Sequence, residues 1–193
     1  NGTLYYSNGD VYSGNFLNGF KHGSGEYKFA LSGERYVGTF YKGYYHGIGT
    51  YYYKNLAKYE GEYLNGKMYG EGVYYYQPGS DFKLFLGTYK NDKPVEGTYI
   101  LSNDKPYASG QIKDNNLHGE GTRYSYTEDK LLNLIIKGNF KKSLMKIGIV
   151  GAGNWGKKVI KKLRELGCQI KIIKRKDSFI KEAANLNTVF IVT

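Results

Sequence analysis

Over the first 140 residues, apolar and polar positions alternate in short runs broken by glycine and asparagine. In "YSGNF", Tyr12, Gly14 and Phe16 fall on one face of a predicted strand. The next stretch, "LNGFKHG", reads as a turn, with glycines where positive φ is needed. "GEYKF" then predicts a second strand with its own aromatics. Each unit is therefore a β-hairpin, and the unit recurs. "YSGNFLNGFKHGSGEYKF" starts at Tyr12, "YVGTFYKGYYHGIGTYYY" at Tyr36 and "YEGEYLNGKMYGEGVYYY" at Tyr59. A weaker copy, "FLGTYKNDKPVEGTYIL", starts at Phe85 and lacks the His-Gly pair, with Val95–Glu96 in its place. That departure makes irregularity the expectation around residues 77–106. "SGQIKDNNLHGEGTRYSY" has its first glycine at Gly110, and "KGNF" at Lys137 opens a unit that does not complete. "GTLYYSNGD" at Gly2 reads as the second half of another. One hairpin is marginal in water, but stacked hairpins bury a shared aromatic face.

The pattern changes at Met145. "MKIGIV" is a short apolar run of the kind that forms a buried parallel strand. "GAGNWG" follows, and Trp155, Val159, Ile160, Leu163 and Leu166 then make the apolar stripe of a predicted helix that Gly167 ends. "CQIKIIK" predicts a second strand, and "DSFIKEAANLNTVFIVT" a short helix and a third strand from Thr188 to Thr193. Strand, glycine turn, helix and strand in this order fit a dinucleotide site. Gly151 permits the tight turn, Gly153 lets the backbone approach a pyrophosphate, and Gly156 allows close helix–strand packing. The helix start offers unpaired N–H groups and a partial positive charge. At the end of the second strand stands "KRKD", where Arg175 and its lysine neighbours suit a 2′-phosphate. NADP is thus favoured over NAD, although Asp177 keeps NAD open.

Two resemblances follow from these residues. The hairpin units, with Tyr-x-Gly and then His-Gly-x-Gly, resemble the MORN repeat over about residues 2–140. That resemblance implies a single-layered antiparallel sheet of successive hairpins serving as a binding or assembly module, through an unknown protein partner, self-association or lipid. Residues 145–193 resemble the first lobe of the 6-phosphogluconate-dehydrogenase-like superfamily. "GAGNWG" with "KRK" is most similar to NAD(P)-dependent glycerol-3-phosphate dehydrogenase. The resemblance implies a cofactor site from Gly151, Ala152, Gly153, Asn154, Trp155, Gly156, Arg175 and Lys176. The short connection after Arg175 is closer to prephenate dehydrogenase, which leaves the substrate open. Catalytic residues of either family lie beyond Thr193, so none is nominated. The expected fold is mixed: an all-β MORN array over residues 1–142, then an incomplete α/β Rossmann-type parallel sheet over 143–193.

Composition sharpens the division. All 22 tyrosines lie at or before Tyr126, and 22 of the 27 glycines precede Met145. The formal net charge is +11, of which +8 belongs to residues 145–193. Much of that excess lies on one predicted helix, as a solvated face or an attraction for an anionic cofactor or membrane surface, and nucleic acid is disfavoured. Cys168 stands alone, so no intrachain disulfide is expected and a reducing, cytoplasmic setting fits. No apolar run reaches the roughly 18–20 residues of a membrane helix.

His22, His46 and His118 occupy one position of their repeats, so neighbouring copies are spaced by twice the strand separation, about 10 Å. Ligands of one zinc lie about 2 Å from the metal, so these residues are read as structural turn residues, with no metal site. The tyrosines of "YKGYYHG" and "GTYYYKN" are candidates for a partner-binding face. The chain starts and stops inside recognisable units, so truncation at both ends is expected. Two functions remain: a scaffold joined to the cofactor half of an NAD(P)-dependent oxidoreductase, or a non-catalytic protein- or lipid-interaction protein with a vestigial Rossmann segment.

Overall fold

The computed structural model describes residues 1–126, 132–140, 146–150, 169–173 and 188–192. It divides into two compact units, Asn1–Pro106 and Tyr107–Thr193. The described residues contain strands and turns only. Both helices predicted after Met145 fall outside them.

The first unit is a run of strands: β1 (Gly2–Tyr5), β2 (Val11–Leu17), β3 (Phe20–Lys28), β4 (Arg35–Tyr41), β5 (Tyr44–Tyr52), β6 (Lys58–Leu64), β7 (Lys67–Tyr75), β8 (Phe82–Lys90) and β9 (Lys93–Leu101). Each pairs antiparallel with the next. The hairpin turns are shorter than the sequence suggests. Asn18–Gly19, Lys42–Gly43, Asn65–Gly66 and Asn91–Asp92 are two-residue turns with positive φ at both positions. That is the turn whose twist matches the strands it joins. The weak fourth unit forms the hairpin β8–β9 and is irregular as expected: its register shifts twice, between Phe82 and Leu84 and between Thr88 and Tyr89, where the three preceding hairpins shift once.

His22 and His46 are therefore strand residues of β3 and β5 and not turn residues. The Gly23 and Gly47 that follow them have positive φ, but they belong to bulges. Gly14 pairs with Gly25 and Phe16 with Lys21, so Asn15 alone faces residues 22–24. Thr39 and Glu62 face three residues in the same way. Between hairpins, a short polar side chain closes each link. Asn8, Ser32, Asn55, Ser80 and Asn103 each accept the backbone N–H two residues on, at 3.1–3.2 Å.

The register places Gly2, Gly14, Gly25, Gly38, Gly49, Gly61, Gly72, Gly87 and Gly97 opposite one another across all nine strands. This glycine lane is roofed by rings. A Cβ on Gly25 would sit 2.5 Å from Tyr12 Cε2, and one on Gly38 would sit 2.5 Å from the Gly49 Cα. Tyr12, Tyr36 and Tyr59 lie over the lane and are fully buried. Each hydroxyl donates to a carbonyl three residues on, those of Asn15, Thr39 and Glu62, at 2.8, 3.0 and 3.3 Å. The strand bulge thus supplies the acceptor that a buried tyrosine requires.

In the second unit, β10 (Pro106–Lys113), β11 (Asn116–Tyr126) and β12 (Leu132–Phe140) are antiparallel neighbours, and Gly110, Gly121 and Gly138 stand opposite one another in a glycine register of their own. His118 lies in β11, again in a three-against-one bulge, opposite Gln111. Three further strands, β13 (Lys146–Val150), β14 (Gln169–Ile173) and β15 (Thr188–Val192), form a parallel sheet in the order β14–β13–β15.

Candidate binding faces of the repeat array

Alternation along the strands sends one set of rings in the first unit to a common face, where they form two rows. The inner row is buried. It runs Tyr12, Phe40, Tyr36, Tyr63, Tyr59 and Tyr89, with edge-to-face contacts and centroids 4.9–5.3 Å apart. This geometry sets ring edges against ring faces and adds about 0.5–1.5 kcal/mol per pair beyond area burial. Tyr45 stacks on Tyr36 at 3.9 Å. Lys21 holds the matching place in the preceding hairpin, with Nζ 4.3 Å from the Tyr27 ring centre.

The outer row is half-buried and continuous. Tyr6, Tyr27, Phe29, Tyr51, Tyr53, Tyr74, Tyr76 and Phe82 follow one another at centroid distances of 4.7–6.0 Å. Two carboxylates anchor its first half. Asp10 accepts from the Tyr27 hydroxyl at 2.8 Å, the Ala30 N–H at 2.9 Å and Asn8 Nδ2 at 3.0 Å. The Ala30 N–H and the Tyr27 hydroxyl lead in holding the Asp10 carboxyl below the usual carboxylate range. Glu34 accepts from the Tyr51 hydroxyl at 2.8 Å. Burial is the leading cause that pushes the phenols up: Tyr53 to about 12, and Tyr27, Tyr51 and Tyr76 well above the ordinary tyrosine value. All stay neutral at physiological pH, so none is a ready nucleophile or base. The rows offer flat apolar rings with a few hydrogen-bonding tips, which is the chemistry of binding.

On the opposite face, His22 and His46 flank Tyr41, each with a centroid distance of 5.3 Å. Among the described residues no group of three His, Cys, Asp or Glu side chains is placed to hold a metal ion. Nor is any helix among them long and apolar enough to cross a membrane. Of the tyrosines nominated from the sequence, Tyr41 and Tyr44 are exposed, whereas Tyr45, Tyr51, Tyr52 and Tyr53 are half-buried. Asp10, Glu34 and the ring ladder itself escaped the sequence reading, because consecutive members come from different hairpins. The one available signal was the aromatic ending of each second strand, as in "GEYKF" and "GTYYY".

Gly151, Ala152, Gly153, Asn154, Trp155, Gly156, Arg175 and Lys176 lie outside the described residues, as do Cys168 and Asp177. The described flanks are β13, ending at Val150, and β14, ending at Ile173.

The sequence model of the MORN repeat matches residues 12–30, 36–57, 59–81 and 109–130. These matches give no support to the dehydrogenase resemblance of residues 143–193. No curated protein matches the chain. The matched segments coincide with the hairpins that carry the Tyr-x-Gly or Ser-Gly start, the two-residue turn and the bulge: residues 12–130 carry MORN repeats.

Proposed function

We propose that the repeat array is a non-catalytic binding and scaffold module whose half-buried ring row takes a protein partner. The continuous outer row from Tyr6 to Phe82 carries this reading. Such a surface gains by covering its rings and loses little conformational entropy, because the rings already hold one another. Self-association through the same row and an anionic membrane surface are the other occupants. The test places a photo-crosslinking phenylalanine analogue at Tyr53 or Tyr74 of the full protein. A discrete adduct of defined mass is expected, and folded protein that yields none removes the reading.

A second reading concerns residues 143–193, as the start of an NADP- or NAD-binding lobe. It is supported by the strand order β14–β13–β15, with the glycine segment directly after β13 and Arg175 two residues beyond the end of β14. Rossmann sheets bind the cofactor at the carboxyl ends of such strands. An oxidoreductase of glycerol-3-phosphate dehydrogenase type, or one closer to prephenate dehydrogenase, would follow. Trp155 is the sole tryptophan and lies inside the glycine segment, so its fluorescence is a local probe. NADPH should quench it saturably, and Arg175→Glu should weaken NADPH more than NADH. Absence of saturable quenching by either cofactor in the folded protein sinks this reading.

A further inference from the structure

The face opposite the rings has a second surface, along the hairpin tips of the first unit. Four cross-strand pairs close those tips: Leu17 with Phe20, Tyr41 with Tyr44, Leu64 with Lys67, and Lys90 with Lys93. Backbone hydrogen bonds stitch each turn to the hairpin before it. The Gly43 N–H donates to the Lys21 carbonyl and the Gly66 N–H to the Tyr45 carbonyl, both at 2.9 Å, and the Asp92 N–H to the Met68 carbonyl at 3.1 Å. The tips therefore follow one another at about 10 Å intervals, twice the strand spacing.

Large apolar side chains stand in water along this line. Phe20 is 55% exposed and Tyr44 60%, and Leu17, Tyr41 and Leu64 are also exposed. Tyr41 bridges His22 and His46, and Tyr44 reaches the next tip at Gly66. The line then turns basic. Lys42, Lys67, Lys90 and Lys93 are all exposed, and the one carboxylate among the four tips, Asp92, is turned to the preceding hairpin, where its Oδ1 accepts the Met68 N–H at 2.9 Å. None of the four forms an ion pair with a described residue; Lys28, Arg35, Lys58 and Lys83 do that elsewhere. One row further in, the charge reverses. Glu62 accepts the Glu71 N–H at 3.2 Å, Glu71 accepts from Thr88 at 2.7 Å, and Glu96 pairs with Thr88 across the strands.

We propose that this tip line docks an extended, acidic protein segment whose apolar side chains seat at Leu17, Phe20, Tyr41 and Tyr44 and whose carboxylates meet Lys67, Lys90 and Lys93. It deepens the reading of the array as a binding module and assigns that module a second face. Four tips span about 30 Å, or about nine extended residues. The pairing follows from charge complementarity and from the apolar side chains that only a partner would cover. An anionic membrane fits less well. Lying on this face, it would press lipid phosphates against Glu62, Glu71 and Glu96, whereas a single chain can follow the tips and avoid them.

The test measures binding of the full protein to a random glutamate–tyrosine copolymer, to polyglutamate of equal length, and to phosphatidylserine-containing vesicles. The copolymer should bind more tightly than polyglutamate, and added salt should weaken it. The charge-reversed variant Lys67→Glu/Lys90→Glu/Lys93→Glu should lose roughly tenfold or more in copolymer affinity with Tm unchanged. Should reversal disturb folding, the glutamine versions at the same three positions replace it. Tyr41→Ser/Tyr44→Ser should erase the preference for the copolymer over polyglutamate. Copolymer binding that ignores both sets of changes overturns this site but leaves the ring-row reading intact, since crosslinking at Tyr53 or Tyr74 reports on that face alone. A folded wild type that does not bind the copolymer overturns the proposal, and vesicle binding lost in the reversed variant would then assign the line to membranes.

Discussion

The hairpins β4–β5 and β10–β11 share a backbone but fill it differently. Both have a two-residue turn with positive φ, Lys42–Gly43 in one and Asp114–Asn115 in the other. Both set one residue against three at a bulge, and both pair glycine with glycine. In β4–β5 the lane lies under Tyr36, with Phe40 and Tyr45 packed around that ring. In β10–β11 the matching positions are Ala108, Ile112 and Leu117. There a Cβ on Gly121 would meet the Leu117 Cδ1 at 2.7 Å and the Ser109 carbonyl oxygen at 2.8 Å. A Cβ on Gly49 would meet the Tyr36 hydroxyl first and then its ring. The hairpin thus depends on turn, bulge and glycine register, and the rings are one of at least two ways to cover it.

Four measurements break or sharpen this contrast. The largest effect is expected from Tyr36→Ala, at about 3–5 kcal/mol, because a fully buried ring leaves a cavity. Ile112→Ala should cost less, about 2–4 kcal/mol. Urea unfolding compares the two, and equal costs would end the claim that the rings dominate the first unit. Gly49→Ala belongs to the same experiment. Combined with Tyr36→Ala it should cost less than the two single changes summed, by roughly 1–3 kcal/mol, because the ring that the new methyl strikes has gone. Strict additivity would show that the glycine serves the backbone alone.

Alkali comes next. Tyr36, Tyr45, Tyr59, Tyr63 and Tyr89 have hydroxyls pushed up, first by burial, while the unfolded phenols titrate near 10. A raised folded value makes this contribution complete below pH about 10 and removes it as pH rises through the folded values. The first unit should therefore lose β-sheet circular dichroism above pH about 10, in step with phenolate absorbance. Phenolate appearing with the sheet intact would contradict the burial. Asp10 has the opposite sign. Its lowered pKa contributes stability above the unfolded value near 3.8 and loses it as pH falls through the folded value.

A smaller effect concerns Tyr63, which is 6% exposed and whose hydroxyl has no partner among the described residues. Phe40 and Phe16 hold the same position in the preceding hairpins. Tyr63→Phe should raise stability by about 1 kcal/mol, since it removes an unpaired buried hydroxyl. A loss in thermal denaturation would reveal a partner for that hydroxyl. The smallest change is at Leu56, a non-glycine residue with φ of 68° and 76% exposure. Leu56→Gly relieves the Cβ strain of that conformation and should raise stability by about 0.5–1 kcal/mol. Unchanged or lower stability would place Leu56 in a contact that outweighs the strain.

Local chemistry was legible in the residues. Tyr-x-Gly at Tyr12, Tyr36 and Tyr59 marked the strands, and Asn18–Gly19 and Asn65–Gly66 lay within the predicted turns. Those turns were drawn too long because Gly23 and Gly47 also need positive φ. One strand alone cannot show whether such a glycine bends a turn or bulges a strand, since the opposing partner decides. The ring ladder was hidden for a related reason. Tyr27, Phe29, Tyr51 and Tyr53 become neighbours only after β3, β4 and β5 take their register.

The sequence by itself determined the hairpin, its period and its turn chemistry, because these depend on backbone preferences and alternation within about 20 residues. Tertiary structure alone decided that nine glycines from nine strands form one lane, that Tyr12, Tyr36 and Tyr59 are buried over it, and that Tyr44 and Phe20 stay in water. The physical reason is register: a shift of one residue reverses the face of every side chain in a strand, and only pairing with the neighbouring strands fixes it.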